Sequence, residues 1–150
     1  MKKVFAIGLL VSAFALSAGS TLSAATNIAA LAAGETSGAI ASSVAFTSGA
    51  NCTINGDISA VAAVTLGANT RENGSVIAGA AFTDGDSAVV TGNVNAGAAL
   101  TIGANSVING NVNAVGAITL GANSHILGSV HSDAGVIAYG AGATVGSVIQ

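Results

Sequence analysis

Residues 101–132 read TIGANSVINGNVNAVGAITLGANSHILGSVHS, and the second half of this stretch restates the first. Thr101-Ile102-Gly103-Ala104-Asn105-Ser106 returns as Thr119-Leu120-Gly121-Ala122-Asn123-Ser124, a period of 18 residues. Rows of 18 counted from Ser43 give six rows ending at Gln150 without a gap, the final row slipping by one residue where Tyr139-Gly140 replaces the Leu-Gly of earlier rows. The fourth column is Phe46, Val64, Phe82, Leu100, Ile118, Val136, and the sixteenth is Ile58, Val76, Val94, Val112, Val130, Val148. The fourteenth is glycine throughout: Gly56, Gly74, Gly92, Gly110, Gly128 and Gly146. Residues 25–42 follow more loosely, with Ile28, Gly38 and Ile40 in the same columns, and read as a degenerate first coil or N-terminal cap.

A fixed period of this size is the mark of a solenoid, in which each repeat covers the apolar face of its neighbour. Columns four and six, ten and twelve, and sixteen and eighteen are mostly apolar or small, with a mainly polar residue between. That alternation predicts short strands with one face inward, three to a row. Gly67-Ala68-Asn69, Gly103-Ala104-Asn105 and Gly121-Ala122-Asn123 mark one corner. Asn55-Gly56, Asn73-Gly74 and Asn109-Gly110 mark another, in residues that tolerate positive φ, and stacked Asn side chains can bond from coil to coil in ladders. A helix is excluded because Gly and Asn recur where it must continue. One row cannot stand alone, since its few buried aliphatic side chains do not offset the ordering of its backbone. The expected fold is all-β: a single-domain β-helix, or parallel β-solenoid, of triangular coils over residues 43–150.

The first residues, MKKVFAIGLLVSAFALSAGSTLSA, place Lys2 and Lys3 before an apolar run from Val4 to Leu16 and then small residues. This is the order of a secretory signal peptide, read as residues 1–24, and the apolar run is shorter than the ~20 residues of a membrane span. A secreted, periplasmic or cell-surface location follows, with no membrane span after cleavage. The remaining chain has one basic residue, Arg71, against Glu35, Asp57, Glu72, Asp84, Asp86 and Asp133. Without a basic patch it is unsuited to nucleic acid. Cys52 is alone, so no internal disulfide can form.

The reactive groups do not assemble into a catalytic set. His125 and His131 fall in outward columns on different faces, and His131-Ser132-Asp133 lacks a further metal ligand. Asp84-Gly85-Asp86-Ser87 lacks the remaining oxygen ligands of a calcium hand. Cys52 shares its column with Thr70, Ala88, Ser106 and Ser124 and reads as a small buried residue. Glu72 and Asp84 fall in inward columns, where an unpaired carboxylate is costly, so a local bulge turning them outward is expected. The sequence therefore predicts no enzyme, no cofactor and no metal.

The informative column is the fifth. Thr47, Thr65, Thr83, Thr101 and Thr119 occupy it in five successive rows, beside Ala45, Ala63, Ala81, Ala99 and Ala117 in the third. Stacked at about 4.7–4.9 Å, these columns make a flat, uncharged strip of methyls and hydroxyls. Strand propensity favours Thr, and such a strip is also suited to ordering water or ice.

Gly92-Asn93-Val94-Asn95-Ala96 and Gly110-Asn111-Val112-Asn113-Ala114, followed by Leu-Thr-Ile-Gly or Ile-Thr-Leu-Gly, resemble the repeats of bactofilins. That resemblance implies right-handed turns and polymer formation. The same phrases, with ITLGAN and a secretory signal, resemble the β-solenoid part of bacterial secreted ice-binding proteins. Bactofilins usually carry no cleaved signal, and the ice-binding family usually adds a long helix beside the solenoid. Leu66-Gly67-Ala68-Asn69-Thr70 is similar to the hexapeptide pattern of left-handed β-helix acyltransferases, but that pattern does not run through all three faces. The expected partner is ice or an ordered water surface at the Ala/Thr face. The alternative is a homopolymer through the coil ends, since no polar cap covers the last row.

Overall fold

A computed structural model describes residues 21–22, 25–26 and 28–149, and every regular element among them is a β-strand. The strands pair in parallel with their counterparts one coil away, building a solenoid of about seven turns. One face is a seven-stranded sheet running from Ala30–Leu31 through Phe46–Ser48, Val64–Leu66, Phe82–Asp84, Leu100–Ile102 and Ile118–Leu120 to Ile137–Tyr139. The other two faces share one 12-stranded sheet, because Thr36–Ser42, Thr53–Ala60, His125–Ser132 and Thr144–Ile149 continue round the corner between them. Of the predicted leader, residues 1–20, 23 and 24 lie outside the described residues; Thr21–Leu22 pair with Thr36–Ser37.

The predicted columns are the core. Phe46, Val64, Phe82, Leu100 and Ile118 are fully buried, as are Ile58, Val76, Val94, Val112 and Val130. Val94 lies opposite Val76 and Val112, and Val112 opposite Val130. Period-two burial sends every second residue of each short strand inward, and the next coil closes over it. Cys52 is buried as expected, its thiol donating to the carbonyl of Ala32 at 3.0 Å.

The two kinds of corner have different causes. Asn51, Asn69, Ser87, Asn105 and Asn123 hold positive φ between 55° and 61°, a left-handed conformation that Asn tolerates. The glycines of the fourteenth column are there for space instead: of them, Gly56 alone has positive φ. A Cβ on Gly110 would stand 2.4 Å from the carbonyl oxygen of Gly92 in the coil before. The expectation that these glycines serve left-handed turns is corrected: they let one backbone lie on the next.

Side chains also bind successive coils. Asp57 Oδ1 accepts from the Ser75 amide at 2.8 Å, Ser75 Oγ from Asn93 at 3.2 Å, Asn93 Oδ1 from Asn111 at 2.8 Å, and Asn111 Oδ1 from Ser129 at 2.8 Å. Asn73 Nδ2 donates to Asn55 Oδ1 at 2.8 Å and Asn113 Nδ2 to Asn95 Oδ1 at 2.9 Å, continuing the ladder habit on other columns.

The last row slips by one residue, as Tyr139-Gly140 in place of the earlier Leu-Gly predicts, and the first coil departs from the expected columns. Ile137, not Val136, lies opposite Ile118, and Val136 is 53% exposed. The one-residue insertion is recovered by a register shift between Ile126 and Ser129. In the first coil Gly38 faces Asn55 rather than Gly56, while Ile40 faces Ile58 as expected. Ile28 is likewise displaced, since Ala30 already lies opposite Thr47, and it packs only partly against the core.

The outward bulge expected at Glu72 and Asp84 does not occur. Glu72 pairs in register with Ile54 and Val90 and is fully buried; Asp84 faces Leu66 and is 3% exposed. At Glu72 the ladder hydrogen bonds on both sides fix the pleat, so turning it out would break register through the coil. At Asp84 the carboxyl itself takes the Gly103 amide, whose counterparts at Gly85 and Gly121 donate to main-chain carbonyls. Burial instead favours the neutral form of both acids. It lifts Glu72 to about 9, helped by the Asp57 carboxylate. Asp84 rises to about 7, mainly by burial, against the Gly103 amide that donates to its Oδ1.

Candidate functional site

The threonines of the fifth column stand in register on the seven-stranded sheet. Thr47 lies opposite Thr65, Thr65 opposite Thr83, Thr83 opposite Thr101 and Thr101 opposite Thr119. All five are exposed, because each sits between two inward residues of a three-residue strand whose pattern is buried–exposed–buried. Ala30 and Ala138 continue the column at either end.

The alanine column runs alongside. Ala45 and Ala99 are exposed and Ala63, Ala81 and Ala117 are half-buried. Their carbonyls are occupied: Ala63, Ala81, Ala99 and Ala117 accept from the amides of Phe46, Val64, Phe82 and Leu100 at 2.9–3.1 Å. The face therefore offers a partner hydroxyls and methyls on a backbone held from both sides. No ionisable side chain points out from these two columns.

The other faces are mixed. One carries Thr53, Arg71, Val89, Val107 and His125 outward, and the other Ser59, Ile77, Asn95, Asn113 and His131. A shallow groove of about 350 Å³ follows this last face past Ile77, Asn95, Asn113 and Val115 to His131. His125 Nδ1 meets Thr144 Oγ1 at 2.6 Å; His131 Nδ1 meets the Ile149 carbonyl and Nε2 meets Asp133 Oδ1, both at 2.9 Å. The two histidines are thus separately engaged. Asp84 and Asp86 also part company, one inside the core and the other exposed, with Asp86 Oδ1 accepting from the Ala104 amide at 2.8 Å.

Family models, characterised proteins and solved structures yield no match to this chain.

Sequence reasoning placed the Thr and Ala columns but missed two features. The ladders expected of stacked Asn side chains are present at Asn55–Asn73 and Asn95–Asn113, but the column of Asp57, Ser75, Asn93 and Asn111, a short polar residue after each corner glycine, was not singled out. The inward carboxyls were also placed in the right columns. Their burial was missed because a neutral acid was not set against the cost of breaking register.

Proposed function

We propose that the protein is a secreted, non-enzymatic solenoid that binds ice or an ordered water layer through the Thr47–Thr65–Thr83–Thr101–Thr119 column and the flanking alanines. The observation that carries this reading is an exposed, uncharged Thr column kept in register over five consecutive coils, on the one face without mixed side chains. Stack spacing of about 4.7–4.9 Å lies near an oxygen repeat in ice. A strip whose backbone is already fixed loses little further freedom on meeting a lattice. Thr83→Lys puts a long charged side chain through the middle of the strip. Val107→Lys adds the same charge to another face. Ice shaping and recrystallisation inhibition should be lost in the first and kept in the second, with melting temperatures close to wild type because surface changes usually cost about 0.5 kcal/mol or less. Equal activity in both variants, or none in the wild type, rejects the reading.

A second reading rests on the last described coil. Its strands Ile137–Tyr139 and Thr144–Ile149 each pair on one side only, and Tyr139, Val148 and Ile149 are 49%, 44% and 52% exposed. With Ile137, His131, Ser132 and Asp133 they line a mouth of about 710 Å³ at the end of the described solenoid. A coil of a second copy would continue both the strand ladders and the inward columns, giving a head-to-tail, non-closing assembly. Val148→Asp should abolish filaments seen by electron microscopy while leaving the single solenoid folded. Filaments that persist in that variant argue against the end-to-end contact.

A further inference from the structure

Glu72 and Asp84 are side chains that a solenoid core does not need. They lie in adjacent coils, residues 61–78 and 79–96, each in a column otherwise mainly aliphatic. Both Glu72 carboxyl oxygens are buried without a hydrogen-bond partner, as is Asp84 Oδ2. On the strands around them, from Thr53–Ala60 to Val94–Ala96, the other ionisable side chains are Asp57 and Arg71, with Asp86 in the following corner. The first and last are acidic. Arg71 is exposed and turns its Nε to Asn73 Oδ1 at 3.1 Å instead of reaching inward. Nothing on these strands compensates a negative charge inside.

We propose that these two carboxyls make a proton-operated seam: the coils carrying them close around neutral acids, and rising pH loosens the stack there. The sign follows from linkage. The folded core keeps protons that the unfolded chain releases at ordinary values of 4.5 for Glu and 3.8 for Asp. Stability is therefore fully present below those values and declines as pH rises, until Asp84 ionises at about 7 and Glu72 at about 9. Each such group lowers the folding equilibrium constant about tenfold per pH unit across its own window. Both act up to neutrality, and Glu72 alone acts above it. The solenoid is built to be strongest in acid.

Cys52 supplies a local probe, since it is buried two residues before Ile54, the register partner of Glu72. Thermal melts between pH 5 and 9 should show a steady fall in the wild type. Glu72→Leu, which restores the aliphatic column, should flatten most of the fall above pH 7, leaving what the His131 contact to Ile149 contributes there, and Asp84→Asn should reduce the fall below it. At pH 9 Cys52 should react with a maleimide at least about tenfold faster in the wild type than in Glu72→Leu, a comparison at equal pH that cancels the intrinsic ionisation of the thiol. If Glu72→Leu does not fold, Glu72→Gln, neutral at every pH, carries the same comparison. A wild type as stable at pH 9 as at pH 5, or an unchanged slope in the Glu72 variants, overturns the proposal.

Discussion

At the scale of single residues, Gly103 and Asn105 sit at one corner for opposite reasons. Asn105 holds φ of 58°, whereas a Cβ on Gly103 would stand 2.5 Å from both the carbonyl carbon and the oxygen of Gly85. Gly103→Ala must therefore push two backbones apart and should cost about 1–3 kcal/mol. Asn105→Gly should change stability by a few tenths at most, while Asn105→Val should lose about 1–2 kcal/mol because a branched side chain resists the left-handed region. Urea midpoints for the three variants check the order. An unaffected Gly103→Ala would mean that the coils can separate without loss.

At the scale of elements, the last strand is fastened by a side chain. His131 uses Nδ1 on the Ile149 carbonyl and Nε2 on Asp133, so both nitrogens favour carrying a proton. The Ile149 carbonyl first, and then Asp133, raise its pKa above the ordinary 6.5. A raised histidine gives stability that is complete below its ordinary value and is lost as pH rises through the folded one. Nitrogen-15 relaxation should show Thr144–Ile149 ordered at pH 5.5 and more mobile at pH 8.5. His131→Phe should make that strand mobile at both. The Thr face asks less of the chain, because each of its threonines sits at the centre of a three-residue strand and faces outward wherever the strand forms. That is why this candidate site was legible in sequence while the histidine clasp, made between coils whose register shifts, was not.

At the scale of the whole molecule, each coil is the template of the next, so damage in the middle spreads to both sides. Val112 is fully buried between Val94 and Val130. Val112→Asp loses a buried aliphatic side chain and leaves a carboxyl without a partner, about 3–6 kcal/mol together at neutral pH. Far-UV circular dichroism should report loss of β-structure well beyond residues 97–132. The same variant should be milder in acid, where the new side chain can enter as a neutral acid, as Glu72 does. A native melting profile at pH 7 would contradict the inward placement of this column.

The period of 18, the inward columns and the outward threonines were settled by the sequence alone, because they depend on side-chain alternation and on nearest neighbours that repeat. Gly56, Gly74, Gly92, Gly110 and Gly128 were found as a column, yet the reason for them emerged only from the approach of one backbone to the next. The slip of the last row was legible, because Tyr139-Gly140 stands where earlier rows have Leu-Gly, whereas the shift at Gly38 was not, because the rows it was laid against are all of one length. The fate of Glu72 and Asp84 also belonged to the tertiary structure. Whether an acid turns outward or stays inside as a neutral group depends on the strength of the ladders on both sides, and only the assembled stack sets that balance.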